Sequence, residues 1–281
     1  KNKIKNADND KRQYALKKCI EYCCDDGFGI YGDGYEEDIE KIDGKLLYEN
    51  FKRLLENAPI EIIVCGKGNP QNYIDSFNMP TFARNFLWSK NDFRSKEKSK
   101  AHFINEYQDL SQSKLCAAFK TDILPSDKMY YALKVLNEII GGGSSSRLFN
   151  GVREKNSMCY YISTYIYSLY PLGILEAGID GDNAQKVIEI FNATLDDFKN
   201  GKFTEEEIDY SKKSILKNFN SLLSQQTSIM DLCLNQAVGD IDYNNFEECI
   251  NSVTKEEIIK AANSIWLDTV YLLQGGEQNE N

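Results

Sequence analysis

An internal repeat places the strongest constraint on the fold of this chain. In the first half, Asp43 is positioned to cap a helix, and the apolar run that follows this helix ends at Gly66. In the second half, Thr254 is positioned to cap a helix, and the following apolar run ends at Gly275. A glycine-aspartate pair precedes each copy, and matching positions lie about 207 to 211 residues apart. Because element order, cap and terminal glycine agree, we expect a duplicated architecture.

The spacing of apolar residues predicts the elements of both copies. The first copy contains a predicted helix within residues 8–26, a helix after Asp43, a buried strand at 60–65 and a short helix at 67–77. In the second copy, strands are predicted at 103–107, 114–120, 158–168, 172–180 and 269–274, and helices at 126–140, 145–155, 184–199, 204–223 and after Thr254. Mixed element order with a tight turn between neighbouring strands predicts an antiparallel-rich α+β sandwich.

The length of the repeat predicts how the chain is divided. If one unit spans about 210 residues, the second copy fits, whereas the first has only its last 66 residues or so. The expected fold is therefore two duplicated two-layer α/β sandwich lobes with antiparallel-rich sheets, the first lobe being truncated. We expect residues 1–78 to form the end of the first lobe, 79–100 an inter-lobe linker, 101–276 the second lobe and 277–281 a polar tail.

Charge and cysteine content narrow the classes of function. The net charge of −10 over 281 residues disfavours binding to the phosphate backbone of nucleic acids. No apolar run approaches the length of a membrane span. Eight scattered cysteines favour free thiols in a reducing, cytoplasmic compartment over a disulfide framework. Cys19 and Cys23 would share one helix face, but core packing explains such a pair better than metal binding.

The scarcity of histidine excludes several catalytic arrangements. His102 is the only histidine in the chain, and it lies in a charged stretch at the edge of a predicted strand. A hydrolytic zinc site of the usual type needs two or three nitrogen ligands, or a cysteine cluster. A Ser-His-Asp arrangement needs a histidine beside a nucleophile. We therefore expect no catalytic residue, no metal ligand and no cofactor in this chain.

A glycine-rich turn follows the predicted helix at 126–140. Gly141, Gly142 and Gly143 precede three serines and Arg147. A phosphate-binding loop would carry a lysine before its last serine or threonine and would follow a strand, and neither condition is met. The run is better interpreted as a flexible turn, with Ser144 or Ser145 capping the next helix.

The stretch around this turn resembles the second-lobe motif of the inverzincin zinc peptidases, the pitrilysin, insulinase and mitochondrial processing peptidase family. The shared pattern is a helix, a glycine run, S-R-L-F at 146–149, R-E-K at 153–155 and a tyrosine seven residues after the arginine. Arg153 and Tyr160 keep this spacing. Ser157 departs from the family, which usually has glycine there.

The resemblance implies a metallopeptidase-like fold and a role for two residues. In the family the matching arginine and tyrosine face the zinc-bearing lobe and contact bound peptide. Arg153 would offer donors to peptide carbonyls or a carboxylate, and the Tyr160 hydroxyl could donate to the scissile carbonyl oxygen. The structural alternative is that Arg153 is a cation at a helix end and that Tyr160 packs in a sheet.

The other half of the family's active site is absent from the sequence. No H-x-x-E-H motif is present, so the resemblance implies that zinc belongs to the missing lobe or to a partner subunit. The implied partners are a peptide substrate and, as a homodimer or heterodimer, a relative that carries the zinc motif. Nucleic acid and membranes are not expected partners.

Three functions remain open at this point. The chain is the non-catalytic, peptide-contacting part of a zinc-metallopeptidase-family protein, working with a zinc-bearing lobe or partner. Alternatively, it is a structural or assembly subunit that keeps the fold without proteolysis, or the resemblance is coincidental and the chain is another α+β binding module. The first predicts that Arg153 and Tyr160 point into a polar-lined cavity, and the second that both are buried or covered.

Overall fold

A computed structural model describes Ile4 and residues 8–58, 60–76 and 100–275 of the chain. Residues 79–99 of the predicted linker and the predicted tail at 277–281 lie outside the described residues. None of the described helices is long and apolar enough to cross a membrane.

One mixed sheet organises residues 102–275. Its five strands are β1 (His102–Gln108), β2 (Ser113–Thr121), β3 (Cys159–Ile166), β4 (Leu172–Ile179) and β5 (Ile265–Gly275). Their order across the sheet is β1-β5-β2-β4-β3. Only β1 and β5 run parallel, and the other neighbours pair antiparallel. The predicted antiparallel-rich α+β class is confirmed.

Ten α-helices surround or flank this sheet within the described residues. They are α1 (Lys11–Cys23), α2 (Glu36–Ile39), α3 (Gly44–Asn57), α4 (Pro70–Ser76), α5 (Met129–Asn137), α6 (Ala184–Lys199), α7 (Glu205–Leu222), α8 (Gln226–Gly239), α9 (Phe246–Ser252) and α10 (Lys255–Asn263). The sequence did not predict α2, α8 or α9.

Side-chain caps begin several helices, including those at Asp43 and Thr254 that the sequence predicted. Thr204 and Glu207 form a reciprocal capping box at the start of α7, and Thr254 and Glu257 form another at α10. An Asp43 carboxylate oxygen accepts a hydrogen bond from the Leu46 amide at 2.7 Å. Both copies of the predicted repeat therefore contain a helix whose first turn is capped by a side chain.

The larger core lies on one face of the sheet. Side chains of β2 and β4 pack there against α5, α6 and α10, and residues such as Leu133, Phe191 and Ile258 are almost completely buried. β5 lies inside the sheet because β1 and β2 pair on its two sides. The helix and strand of the second repeat copy are thus fully incorporated into the fold.

Helix α1 covers the opposite face of the same sheet. Its buried residues Ala15, Cys19 and Cys23 pack against β2 and β5, where Cys116 and Tyr271 are also buried. Cys19 and Cys23 serve as core residues, as expected. A helix from the segment predicted to belong to the first lobe therefore packs on the sheet of the second lobe, and the predicted domain boundaries stay a prediction.

A half-buried acid at the edge strand holds α1 in place. Tyr14 of α1 donates a hydrogen bond to Glu106 of β1 at 2.9 Å, and the hydroxyl of Tyr271 donates to the other carboxylate oxygen. Burial by itself raises the pKa of Glu106, but hydrogen bonds from Tyr271, Gln108 and Tyr14 outweigh it, so the pKa lies below its ordinary value.

This lowered pKa predicts an acid-dependent loss of stability. A carboxyl with a depressed folded pKa stabilises the fold above its unfolded pKa, about 4.3 for glutamate, and loses that contribution as the pH falls through the folded value. We expect the urea midpoint of Glu106→Gln to fall less steeply than that of wild type as the pH drops below about 4. Equal slopes for wild type and variant would contradict this role.

The predicted strand at 60–65 is not formed, and this expectation was wrong. These residues have no regular secondary structure, and Ile60, Ile62 and Val64 are exposed. The pattern is typical of a buried strand, but a strand needs a hydrogen-bonded neighbour, and none of the described strands lies beside this segment. The two repeat copies therefore share a capped helix but not, in this structure, a paired strand.

Candidate functional site

Irregular backbone is concentrated between residues 138 and 160. Helix α5 ends in a π-helical turn, Glu138–Gly142, and a second π-helical turn, Phe149–Glu154, follows the glycine-rich turn. The predicted helices at 126–140 and 145–155 are thus only partly α-helical. Short π-helical turns are rare and are often found at functional sites, so this stretch is the candidate site.

Close packing on β3 explains the first glycine of the turn. A Cβ atom at position 141 would lie 2.5 Å from the Thr164 hydroxyl oxygen and 2.9 Å from its backbone nitrogen. At position 142 it would lie 2.3 Å from a Glu138 carboxylate oxygen. The glycines therefore let the turn lie directly against β3 and against the end of α5.

A polar-lined cavity of about 410 Å³ opens beside the glycine-rich turn. Its walls are the π-helical turn, the loop from Gly142 to Ser146 and the first half of α7, including Glu206 and Tyr210. The Glu138 carboxylate on one wall accepts a hydrogen bond from Ser214 on the other at 2.6 Å. The cavity therefore offers carboxylates, hydroxyl groups and the backbone of the glycines to a bound ligand.

Arg147 fixes the far end of the turn. Its guanidinium donates two hydrogen bonds to the Glu207 carboxylate, at 2.6 and 2.9 Å, and a third to the Lys202 carbonyl at 2.8 Å. It also stacks on Phe198, with 4.8 Å from its central carbon to the ring centroid. Paired hydrogen bonds of this kind have specific geometry, so Arg147 holds the turn against the start of α7.

Arg153 differs from Arg147 in its surroundings. It lies in the second π-helical turn with 44% of its side chain exposed. Within the described residues, its ion pair is a loose 3.9 Å contact with the neighbouring Glu154, and its guanidinium lies 4.9 Å from the Phe149 ring centroid. Most of its hydrogen-bonding capacity is therefore available to a ligand.

Tyr160 lies at an irregularity of β3. The register between β3 and β4 shifts between Cys159 and Tyr161, so Tyr160 is an extra residue opposite one residue of β4. Its side chain is 62% exposed. Such bulges redirect a side chain and are common beside active sites. Tyr160 points away from the core rather than packing in the sheet.

The predicted site residues do not converge on the cavity. Gly142 and Gly143 of the glycine-rich turn line it, whereas Gly141, Arg153 and Tyr160 are not among its lining residues. Neither Arg153 nor Tyr160 is buried, so Tyr160 does not pack in the sheet, whereas Arg153 lies in the last turn of Phe149–Glu154, a position that also suits a helix-end cation. Sequence reasoning missed the Arg147–Glu207 pair, and the S-R-L-F motif was the one signal that could have suggested it.

Ser157 has a left-handed backbone conformation, with φ of 50°. The position where the motif usually has glycine thus has the backbone that glycine favours. A non-glycine residue there costs about 1–2 kcal/mol, partly offset by the greater unfolded-state freedom of glycine.

Replacing Ser157 with glycine should therefore stabilise the fold. We expect Ser157→Gly to raise the free energy of unfolding by about 0.5 to 1 kcal/mol, measured by urea denaturation. Ser157→Ala, which keeps the strain, is the control and should give no gain. A destabilised glycine variant would show that the Ser157 side chain itself contributes to the turn.

The residues present do not fit a catalytic zinc ion. His102 is exposed at the first position of β1, and the described residues contain no group of three His, Cys, Asp or Glu side chains placed to hold a metal. Zinc in proteins is bound by at least three such ligands. No step of a reaction can therefore be assigned to zinc held by the described part of this chain.

The fold and this site together define a class: a peptidase-like α+β domain that has the family's second-lobe motif and no metal-ligand cluster among its described residues. The family described as Peptidase M16 inactive domain matches residues 41–215. Because this match covers more than half of the chain, the chain belongs to the M16 inactive-domain family.

Relatives of known sequence and structure agree with this assignment. The chain is 30% identical over 283 residues to a probable inactive metalloprotease, YmfF, of Bacillus subtilis strain 168, covering 99% of this chain and 66% of YmfF. A conserved protein from Enterococcus faecalis V583 superposes with a TM-score of 0.87 at 25% identity, over 99% of this chain and 67% of that one. A peptidase M16 inactive domain from Pseudomonas fluorescens has a TM-score of 0.72 at 13% identity, over 99% of this chain and 70% of its own length, and shows the shared fold.

Proposed function

We propose that this chain is the non-catalytic, peptide-contacting part of an M16-family metallopeptidase system, which works with a zinc-bearing lobe or partner subunit. The observation that carries the proposal is the exposure of Arg153 and Tyr160 on irregular backbone within the family motif. A residue retained only for packing would be buried, as Leu148 and Val152 of the same motif are.

The chemistry of the exposed pair suits an extended peptide. Arg153 presents a planar group of hydrogen-bond donors. Its contact with the Phe149 ring limits the conformational freedom of the arginine side chain. Peptide carbonyls and a terminal carboxylate are the acceptors that such a group pairs with. The cavity beside the glycine-rich turn, with Glu138 and Glu206 on its walls, would accept polar or cationic side chains of a bound peptide.

The test is binding of unstructured peptides to the isolated chain. We expect fluorescein-labelled tryptic peptides of casein to bind, and Arg153→Ala to weaken binding about tenfold, because a hydrogen bond to a charged group contributes about 1.5–3 kcal/mol and this site is half exposed. Arg153→Lys should recover only part of the loss, because lysine lacks the planar group. Fluorescence anisotropy measures both.

Lys155→Ala is the matched control for this test. It removes a cation two residues from Arg153 at an exposed position, so it should leave peptide affinity close to that of wild type. If Lys155→Ala and Arg153→Ala weaken binding equally, peptide binding depends on general electrostatic attraction and not on a specific contact with Arg153. If Arg153→Ala lowers the urea midpoint, the arginine has a structural role instead.

The structural or assembly function is the second candidate. It is favoured by the position of Arg153 and Tyr160, which are not among the residues that line the polar cavity, although peptide contact predicted that both point into it. Wild-type chain that binds none of the casein peptides would favour this candidate. As part of the main proposal we place the protein in the cytoplasm, supported by eight cysteines that are all free.

A further inference from the structure

Helix α3 carries an apolar face that the described residues leave open. Leu47, Phe51 and Leu54 fall on one side of the helix by their spacing. Their side chains are 63%, 54% and 59% exposed. A monomeric protein rarely exposes several large apolar side chains together, and such a surface marks an interaction site.

The other side of α3 is built for contact with water. Lys45 pairs with Glu49 at 4.0 Å, and Lys52 pairs with Glu56 at 3.9 Å, each one helical turn apart. All four side chains are well exposed. Since the helix already has one solvated charged face, the apolar face is the one that a partner would cover.

The segment 60–65 extends this apolar surface. Ile60, Ile62 and Val64 are exposed, and Ile62 and Val64 line a cavity of about 480 Å³ together with Tyr73. Glu61 is the only charged residue in the segment. A short run of this composition is typical of a strand buried on both faces, yet its backbone pairs with none of the described strands.

The second repeat copy shows which kind of structure covers such a helix and strand. There, Ile258 and Ala261 of α10 are completely buried, and β5 lies between β1 and β2. The first copy also has a side-chain cap, from Asp43 rather than a capping box, and the same order of helix and apolar run. By this internal comparison, the structure that would cover the first copy is a sheet with strands beside residues 60–65.

The relatives supply a candidate for that sheet. This chain spans 66% of YmfF and 67% of the Enterococcus faecalis structure. One third of each relative thus lies outside the matched region. That third is long enough to hold several strands, because strands usually have about 3–10 residues.

We infer that the apolar face of α3 and residues 60–65 form a docking surface for a β-sheet polypeptide, namely the region that the relatives possess outside their match to this chain. A strand of that polypeptide pairs with residues 60–65 by backbone hydrogen bonds, and its sheet covers Leu47, Phe51 and Leu54. This rests on the proposed function, since the occupant is the lobe or partner with which the chain is proposed to work.

The test is co-expression of this chain with the part of YmfF that lies outside the match, with an affinity tag on the YmfF part. We expect the two polypeptides to be recovered together. Phe51→Lys and Leu54→Lys should each reduce recovery at least tenfold, whereas Glu49→Lys, the matched control on the charged face, should not. In hydrogen exchange, amides of residues 60–65 should be unprotected in the free chain and protected in the complex.

The outcomes of this experiment test the docking surface independently of the proposed peptide contact. Failure of wild-type chain to recover the YmfF part, or equal recovery with Phe51→Lys, overturns the docking surface and leaves the Arg153 peptide assay unaffected. A free chain that sediments as a dimer, and as a monomer after Phe51→Lys, identifies a second copy as the occupant and also overturns it. Protection of residues 60–65 in the free monomer would show that the strand needs no partner.

Discussion

Replacing Arg12 with methionine is expected to destabilise the fold by about 2 to 3 kcal/mol, because it leaves a buried carboxylate without its partner. Glu176 lies within β4, and its side chain is only 5% exposed. Arg12 of α1 donates to it from two nitrogens, at 3.0 and 2.6 Å, and stacks on Tyr161. The arginine is itself 48% exposed, so water reaches the site and limits the loss.

A double-mutant cycle separates the ion pair from the packing of the arginine stem. Glu176→Gln combined with Arg12→Met should recover part of the stability, since a neutral amide costs less to bury than an unpaired charge. Lys11→Met, the control, removes a neighbouring cation that, within the described residues, lies 5.6 Å from the centroid of the Tyr14 ring, and should change the urea midpoint little. Additive single effects would show that Arg12 and Glu176 act independently.

The Arg12–Glu176 pair also shows what sequence patterns leave out. Periodicity predicted α1 and β4 correctly, because each follows from residues close together in the chain. The pairing joins residues 164 positions apart, and no local pattern encodes it. The same holds for Arg147 and Glu207, which are 60 positions apart.

Helix caps were predicted well because each of them depends on residues within a single helical turn. The capping boxes at Thr204 and Thr254 involve residues three positions apart, so the sequence alone specifies them. α8 was missed because none of its residues is buried, and a helix without a buried face has no strong periodic pattern. Residues 60–65 have the composition of a strand, but strand formation depends on a neighbour.

The candidate site was predicted by motif rather than by geometry. The glycine run, Arg153 and Tyr160 were selected from their order in the sequence. The two π-helical turns and the bulge at Tyr160 could not have been predicted, because both are departures from the regular periods on which sequence patterns depend. Arg153 and Tyr160, on this irregular backbone, are exposed, whereas Leu148 and Val152 of the same motif are buried.

Gly141 should be the most sensitive position of the site. Glycine to alanine within a helical segment normally stabilises a protein, by about 0.5–1 kcal/mol. At Gly141 the new methyl group would meet Thr164 at 2.5 Å and its backbone nitrogen at 2.9 Å, so the turn must move away from β3. We expect Gly141→Ala to destabilise by about 2 to 3 kcal/mol and, by displacing the cavity wall, to weaken binding of the casein peptides.

Gly151→Ala provides the control because it makes the same change where space is free. Gly151 lies in the second π-helical turn, and a Cβ atom there would meet nothing within 4 Å. It should therefore stabilise the fold slightly, so that the two substitutions have opposite signs in urea denaturation. If both stabilise, the turn does not need the close approach to β3. If Gly141→Ala destabilises but peptide affinity is unchanged, the glycine-rich turn is a packing element and the peptide contact depends on Arg153 and Tyr160 alone.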